Sequence, residues 1–156
     1  MTAVDEVHLR WATSAAHVRE AQRLRERVFC VEQGVPRELE LDGLDERALH
    51  LLAREPATGE LVGTLRLLIR ERTAKLGRVA VLPRSRRRGV ASRMVRLALR
   101  RARRCGCAEV RLASQLEVVG LYRALGFAVE SEPFQEAGIA HVWMAWRRSG
   151  AHTRPR

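Results

Sequence analysis

The sequence predicts an α/β (α+β) domain, a single sheet with both faces partly covered by helices. Apolar runs of strand length alternate with stretches of helical period, in the order β-α-(α or loop)-β-β-β-α-β-α-β-β. No repeat with a period of about 20–50 residues is present, which excludes solenoids and propellers. The chain has 156 residues, 46% of them hydrophobic, enough for one domain whose core needs neither disulfides nor a metal. The expected domain spans 1–148, and Ser149–Arg156 reads as a disordered tail.

Each element has its own local justification. Val7–Ala12 reads as a short strand. Ser14–Gln33 reads as one helix: Ser14 can cap it, and Val18, Ala21, Leu24, Val28 and Val31 recur at spacings of three and four. Gly34-Val35-Pro36 breaks it, and an acidic loop runs from Glu38 to Glu46 with a turn at Asp42-Gly43. Ala48–Ala53 and Leu61–Ile69 form a hairpin about Pro56–Gly59, and Leu76–Leu82 is a further apolar strand closed by Pro83.

Gly89–Arg104 is a long amphipathic helix. Val90, Ala91, Met94, Val95, Ala98 and Ala102 form its buried side, and Arg93, Arg96, Arg100 and Arg103 face out. Gly106 stops it. Glu109–Ala113 is then a strand, Leu116–Leu125 a helix ended by Gly126, Phe127–Val129 a strand, and the alternating Ile139–Trp146 closes the sheet.

The net charge of +11 is unevenly distributed. Between Glu71 and Glu109 there are 13 basic residues and no carboxylate, so the remaining 16 basic and 18 acidic residues sum to −2. The protein is therefore a near-neutral body carrying one basic segment, which points to an anion site. A nucleic-acid module is the non-enzymatic alternative. The basic window lacks aromatic stacking residues, and no helix-turn-helix or zinc-finger spacing occurs. No apolar run approaches the roughly 20 residues of a membrane span. Three cysteines without an export pattern fit a reducing, cytoplasmic compartment. Cys105-Gly106-Cys107 has no second pair and the histidines have no ligand spacing, so no metal site is expected.

The most informative stretch is the strand–turn–helix from Leu76 to Ser92. A helix start carries unpaired N–H groups and partial positive charge. Gly89 and the small Ala91 keep its backbone accessible, and the arginines before it add charge, a suitable seat for a pyrophosphate. Neither a P-loop nor a dinucleotide fingerprint is present.

Arg86-x-x-Gly89-x-Ala91, after Val79-x-Val81-x-Pro83, resembles the R/Q-x-x-G-x-G/A motif of the GNAT acetyltransferases. Gln115-Leu116-Glu117-Val118-Val119-Gly120-Leu121-Tyr122-Arg123-Ala124-Leu125-Gly126-Phe127 resembles that family's N-x-x-A-x-x-x-Y-x-x-x-G-F segment, with Gln115 in place of Asn and Val118 in place of Ala. Tyr122 is the only tyrosine. Val28–Gln33 and Gly138–Met144 are similar to the ElaA-like branch.

This resemblance implies a central mixed, mostly antiparallel sheet of about six to seven strands with about four helices. It also implies an enzyme that transfers the acetyl group of acetyl-CoA to a primary amine in a ternary complex. Val79, Ala80 and Val81 would pair with the pantetheine arm, and Arg86, Arg87, Arg88, Gly89, Val90, Ala91 and Ser92 would hold the pyrophosphate. Gln115 and Tyr122 would complete the donor site, with Tyr122 as general acid to the CoA thiolate.

The acceptor ammonium, of pKa about 10.4, must lose a proton before attack. Glu32 is the first candidate base, ahead of the acidic loop (Glu38, Glu40, Asp42, Asp45) and His141. Glu32, Gln33, Asp42 and His141 are the expected acceptor-binding residues. The acceptor is a small-molecule or peptide amine. The protein is expected as a monomer or a homodimer, the latter through the last strand with Trp143 and Trp146. A second enzymatic reading exists. Arg25-x-x-x-Phe29 followed by Glu40-x-Asp42-x-x-Asp45 resembles part of the acyl-homoserine-lactone synthase signature, without its intervening aromatic residue.

Overall fold

The computed structural model describes residues 6–149. The segment expected as a disordered tail lies, from residue 150, outside the described residues. The described strands are β1 (His8–Trp11), β2 (Leu49–Arg54), β3 (Leu61–Arg70), β4 (Thr73–Val81), β5 (Glu109–Gln115), β6 (Ala128–Val129), β7 (Phe134–Glu136) and β8 (Ile139–Arg147). They form one mixed sheet in the order β1-β2-β3-β4-β5-β8-β6, with β7 also on β8. The count is eight among the described residues, against the six to seven expected. The addition is β7, whose three residues carry too little periodicity to be read as a strand.

The first helical region departs from expectation. Its α-helix, α1 (Ala15–Arg25), is capped by the Ser14 hydroxyl, which accepts from the His17 amide. It then continues as a π-helix over Glu26–Glu32. The Gln33 amide accordingly reaches back five residues to the Val28 carbonyl. These wider turns shift the phase of the apolar stripe: Ala21, Leu24 and Val28 are buried, but Val31 is 78% exposed. A short helix, α2 (Arg37–Glu40), opens the acidic loop.

Helix α3 (Val90–Arg104) buries Val90, Met94, Val95, Ala98, Leu99 and Ala102. It lies directly on β3 because Gly63 has no side chain: a Cβ there would meet Met94 Cε at 3.2 Å and Val90 Cγ1 at 3.3 Å. Gly106, at φ +81°, ends the helix, and the Cys107 amide bonds back to the Ala102 carbonyl. Successive β3 side chains alternate between faces, so Gly63 and Arg66 point to opposite sides of the sheet. The second side carries α1, whose Arg25 shares Asp45 with Arg66.

Two irregularities position the site. Arg66 pairs with Gly77 and Thr64 with Ala80, so two β3 positions span three on β4. The additional residue is a bulge at Arg78, whose φ is +52°. In addition, β4 and β5 pair in parallel only over Thr73–Lys75 with Glu109–Arg111. Beyond that point the two strands separate, while β5 stays paired with β8 from Glu109 opposite Arg147 to Gln115 opposite His141. The sheet is split at its centre.

Candidate active site

The split leaves one edge of β4 without a strand partner from Leu76 to Val81, the stretch that contains Val79, Ala80 and Val81. The chain then turns through Pro83–Ser85 into the loop of Arg86, Arg87 and Arg88. Arg87 and Gly89 both have positive φ, +61° and +74°. Gly89 is the N-cap residue of α3 and supplies no side-chain cap. The first intrahelical bond runs from the Arg93 amide to the Gly89 carbonyl, which leaves the amides of Val90, Ala91 and Ser92 without helical partners. Nothing lies within 4 Å of a Cβ at Gly89. This open, unshielded helix start fits a pyrophosphate.

Several of the expected site residues meet at the mouth of the split. Both terminal nitrogens of Arg86 donate to the Glu32 carboxylate, at 2.5 and 2.6 Å, and its Nε donates to the Val81 carbonyl at 2.9 Å. Those hydrogen bonds hold the Glu32 carboxyl below its ordinary pKa, while partial burial opposes them. The Gln115 amide donates to Gln33 Oε1 at 2.9 Å. This bond ties the end of the π-helix to the end of β5, where Gln115 stands opposite His141. His141 Nδ1 donates to the Ile139 carbonyl at 2.7 Å, and Nε2 lies 3.9 Å from the Glu136 carboxylate. Phe134 stacks on the His141 ring at 6.0 Å.

Tyr122 lies on α4 (Val119–Ala124), which follows β5 through the turn Leu116–Val118. Its ring meets Phe127 edge-on at 5.8 Å. Burial pushes its pKa up to about 12. The hydroxyl has no hydrogen-bond partner among the described residues, yet it is not among the polar atoms sealed from solvent.

Asp42 is held apart from this cluster. It accepts from Arg66 at 2.7 and 2.8 Å and from Arg78 at 3.3 Å. Partial burial raises its pKa, but the Arg66 hydrogen bonds, the Leu44 amide and the neighbouring positive charges outweigh burial and bring it to about 2. It belongs to a larger buried set. Arg25 binds Glu40 and also Asp45, the latter at 2.8 Å, and Arg66 reaches Asp45 at 3.1 Å. Arg78 donates to the Glu40 carbonyl at 3.0 Å. Three guanidiniums thus balance three carboxylates, the condition under which such burial is tolerated.

Sequence reasoning did not single out Arg25 or Arg66 for this role. A detectable sign existed: Arg25 falls beside the apolar stripe of α1, and Arg66 is the lone charge inside Leu61–Ile69. The residues that resembled the lactone-synthase signature, Arg25, Glu40, Asp42 and Asp45, are members of this network. Among the described residues no cluster could hold a metal ion, and no helix is long and apolar enough to cross a membrane.

A mixed sheet split beside a bulged central strand, with a helix start at the head of the split, defines an acyl-transferring enzyme. Residues 14–148 match the acetyltransferase (GNAT) domain, and the chain belongs to that family of N-acetyltransferases. An uncharacterized N-acetyltransferase of Bacillus subtilis, YjcF, is 33% identical over 135 residues, covering 85% of this chain and 94% of its own. The crystal structure of Escherichia coli ElaA superposes with a TM-score of 0.80 at 25% identity, over 90% of this chain and 99% of that one. A GNAT acetyltransferase from Elizabethkingia anophelis, solved with acetyl-CoA bound, shares the fold at a TM-score of 0.68 and 16% identity, over 92% and 99% of the two chains.

Proposed function

We propose that the protein transfers the acetyl group of acetyl-CoA to a primary amine by direct attack within a ternary complex. The observation that carries this reading is the partnerless β4 edge leading into the uncapped, glycine-started α3. The free edge at Val79–Val81 offers backbone groups to the amides of a pantetheine arm, as a strand would. Arg86–Ser92 offers amides and guanidinium charge to the pyrophosphate. The bound acetyl-CoA of the Elizabethkingia relative supports the same donor here.

Tyr122 donates the proton that the departing thiolate requires. A phenol at about 12 is a weaker acid than a thiol at about 8.5, so a separate transfer to the free thiolate is uphill by roughly 5 kcal/mol, and protonation of the intact thioester sulfur is harder still. Donation is therefore concerted with C–S cleavage. Glu32 and Gln33 face the amine from the π-helix, with His141 across the split. Glu32 becomes an effective base, directly or through water, once Arg86 turns to the pyrophosphate, because the ion pair suppresses its basicity.

The test is release of CoA thiol from acetyl-CoA across a panel of amines, with the product identified by mass. Acetylated product in equal yield with free CoA is the expected result. Thiol release that no amine increases contradicts the reading.

A further inference from the structure

We propose that a groove between β1 and α3, distinct from the proposed donor site, docks an extended acidic peptide as an added strand along β1. The groove has a volume of about 520 Å³ and is lined by Val7–Arg10 on one side and by Arg93, Arg96 and Arg100 on the other, with no carboxylate among the described lining residues. It lies at the sheet edge, with β2 and β3 between it and β4.

Two features of the groove are unsatisfied. Arg10, Arg96 and Arg100 are exposed and have no hydrogen bond or ion pair among the described residues. Arg93 gives one N–H to the Val7 carbonyl at 2.9 Å and comes only within 3.8 Å of Glu6. By contrast, Arg25, Arg66, Arg78 and Arg86 all hold carboxylates. Like charges four apart on a helix repel, so Arg96 and Arg100 are held together at a cost that an anion would relieve. The second feature is the backbone. Three successive residues of β1, His8, Leu9 and Arg10, whose side chains alternate between faces, line the groove together with Val7 just before them, so it follows the strand's edge. Among the described residues that edge has no neighbour, since β1 ends the sheet and pairs only with β2.

A peptide satisfies both at once. Its backbone pairs with the alternating N–H and C=O groups of β1, and carboxylates on every second residue meet the arginines of α3. The spacings agree: alternate strand residues repeat at about 6.8 Å, and Arg96 and Arg100 are separated along the helix by about 6 Å. Leu9 and Leu97 give the alternate side chains an apolar floor. A nucleic-acid strand fits less well. Phosphate oxygens would face the carbonyls of β1, and the Trp11 ring at the end of that strand is covered by Arg101 at 5.3 Å. A second copy of the chain would bring arginines onto arginines.

The probe is a fluorescein-labelled heptapeptide of alternating Glu and Val, titrated with the full chain and followed by anisotropy at low and at 0.15 M salt. Saturable binding is expected, weakening at least tenfold in Arg96→Glu/Arg100→Glu and weakening likewise when the peptide backbone is N-methylated at alternate residues. The milder Arg96→Gln/Arg100→Gln pair supplies the same comparison if charge reversal impairs folding. An unchanged melting temperature identifies a folded variant. The proposal is overturned by any of three results: no binding, equal binding of the N-methylated peptide, or tighter binding of a thymidine oligonucleotide. None of these outcomes bears on acetyl-CoA binding, so the two readings fail separately.

Discussion

Arg86 and Glu32 form a two-point ion pair across the mouth of the split sheet, joining the phosphate-type loop to the end of the π-helix. The pair links a residue of the proposed donor site to one of the proposed acceptor site, 54 positions away in sequence. In the proposed mechanism, a pyrophosphate that draws Arg86 away would release the Glu32 carboxylate to take the proton of the acceptor ammonium. Glu32→Gln is therefore expected to lower kcat/KM for the amine by about 10²–10⁴, while the dissociation constant for acetyl-CoA stays the same or falls. Steady-state kinetics with calorimetry of donor binding separates the two effects. A uniform loss of donor affinity contradicts the assignment.

Tyr122→Phe is expected to reduce kcat at saturating substrates, by up to about 10²–10⁴, without changing acetyl-CoA affinity. Burial raises its pKa to about 12, so the acid form is complete across the working range and is lost only as pH rises through that value. The pH–rate profile should thus show no basic limb from Tyr122 below about pH 11. An unchanged kcat in the variant would leave Tyr122 as a packing partner of Phe127 alone.

Gly89→Ala places a side chain in space that is empty but at a backbone φ of +74°. The strain should cost about 1–2 kcal/mol, and the added methyl group should raise KM for acetyl-CoA more than KM for the amine. Thermal denaturation and two-substrate kinetics measure these effects independently.

The buried charge network should be acid-labile. Asp42 and Asp45 have folded pKa values below the ordinary 3.8, Asp42 at about 2. Their stabilisation is complete above about pH 5 and is lost as pH falls from about 5 through about 2 for Asp42 and lower still for Asp45. Denaturant titrations at pH 5 and pH 3 should show that loss, and Asp42→Asn should diminish it. Asp45→Ala leaves Arg25 with Glu40 and Arg66 with Asp42 but sets three guanidiniums against two carboxylates, and should cost about 3–5 kcal/mol.

Much of this arrangement is legible in sequence because its causes are local. Gly89 with Ala91 marks a helix start that a phosphate can reach. The helix expected over Leu116–Leu125 forms as a turn at Leu116–Val118 and α4 at Val119–Ala124, and it ends before Gly126, which takes a positive φ while the Phe127 amide returns to the Tyr122 carbonyl. The π-turns after Arg25 could not be read this way, since Val31 keeps the helical spacing that the wider turns cancel. Nor could the bulge at Arg78: a non-glycine residue at positive φ has no local signature, and its charge is answered by Glu40 and Asp42 from a loop some 36 to 38 residues earlier. The Gln33–Gln115 bond is likewise a tertiary contact between two ordinary polar residues 82 positions apart.

The central claim is that the split strand and the α3 start hold acetyl-CoA, and thermal denaturation with and without that donor tests it most directly. At a hundredfold excess over the dissociation constant, binding contributes about 2.7 kcal/mol. For a chain of this length, that corresponds to a rise in Tm of about 5–10 °C. Such a rise, abolished when Arg86–Gly89 is replaced by Glu-Glu-Glu-Val, is the expected result. An unchanged Tm at millimolar acetyl-CoA contradicts the account.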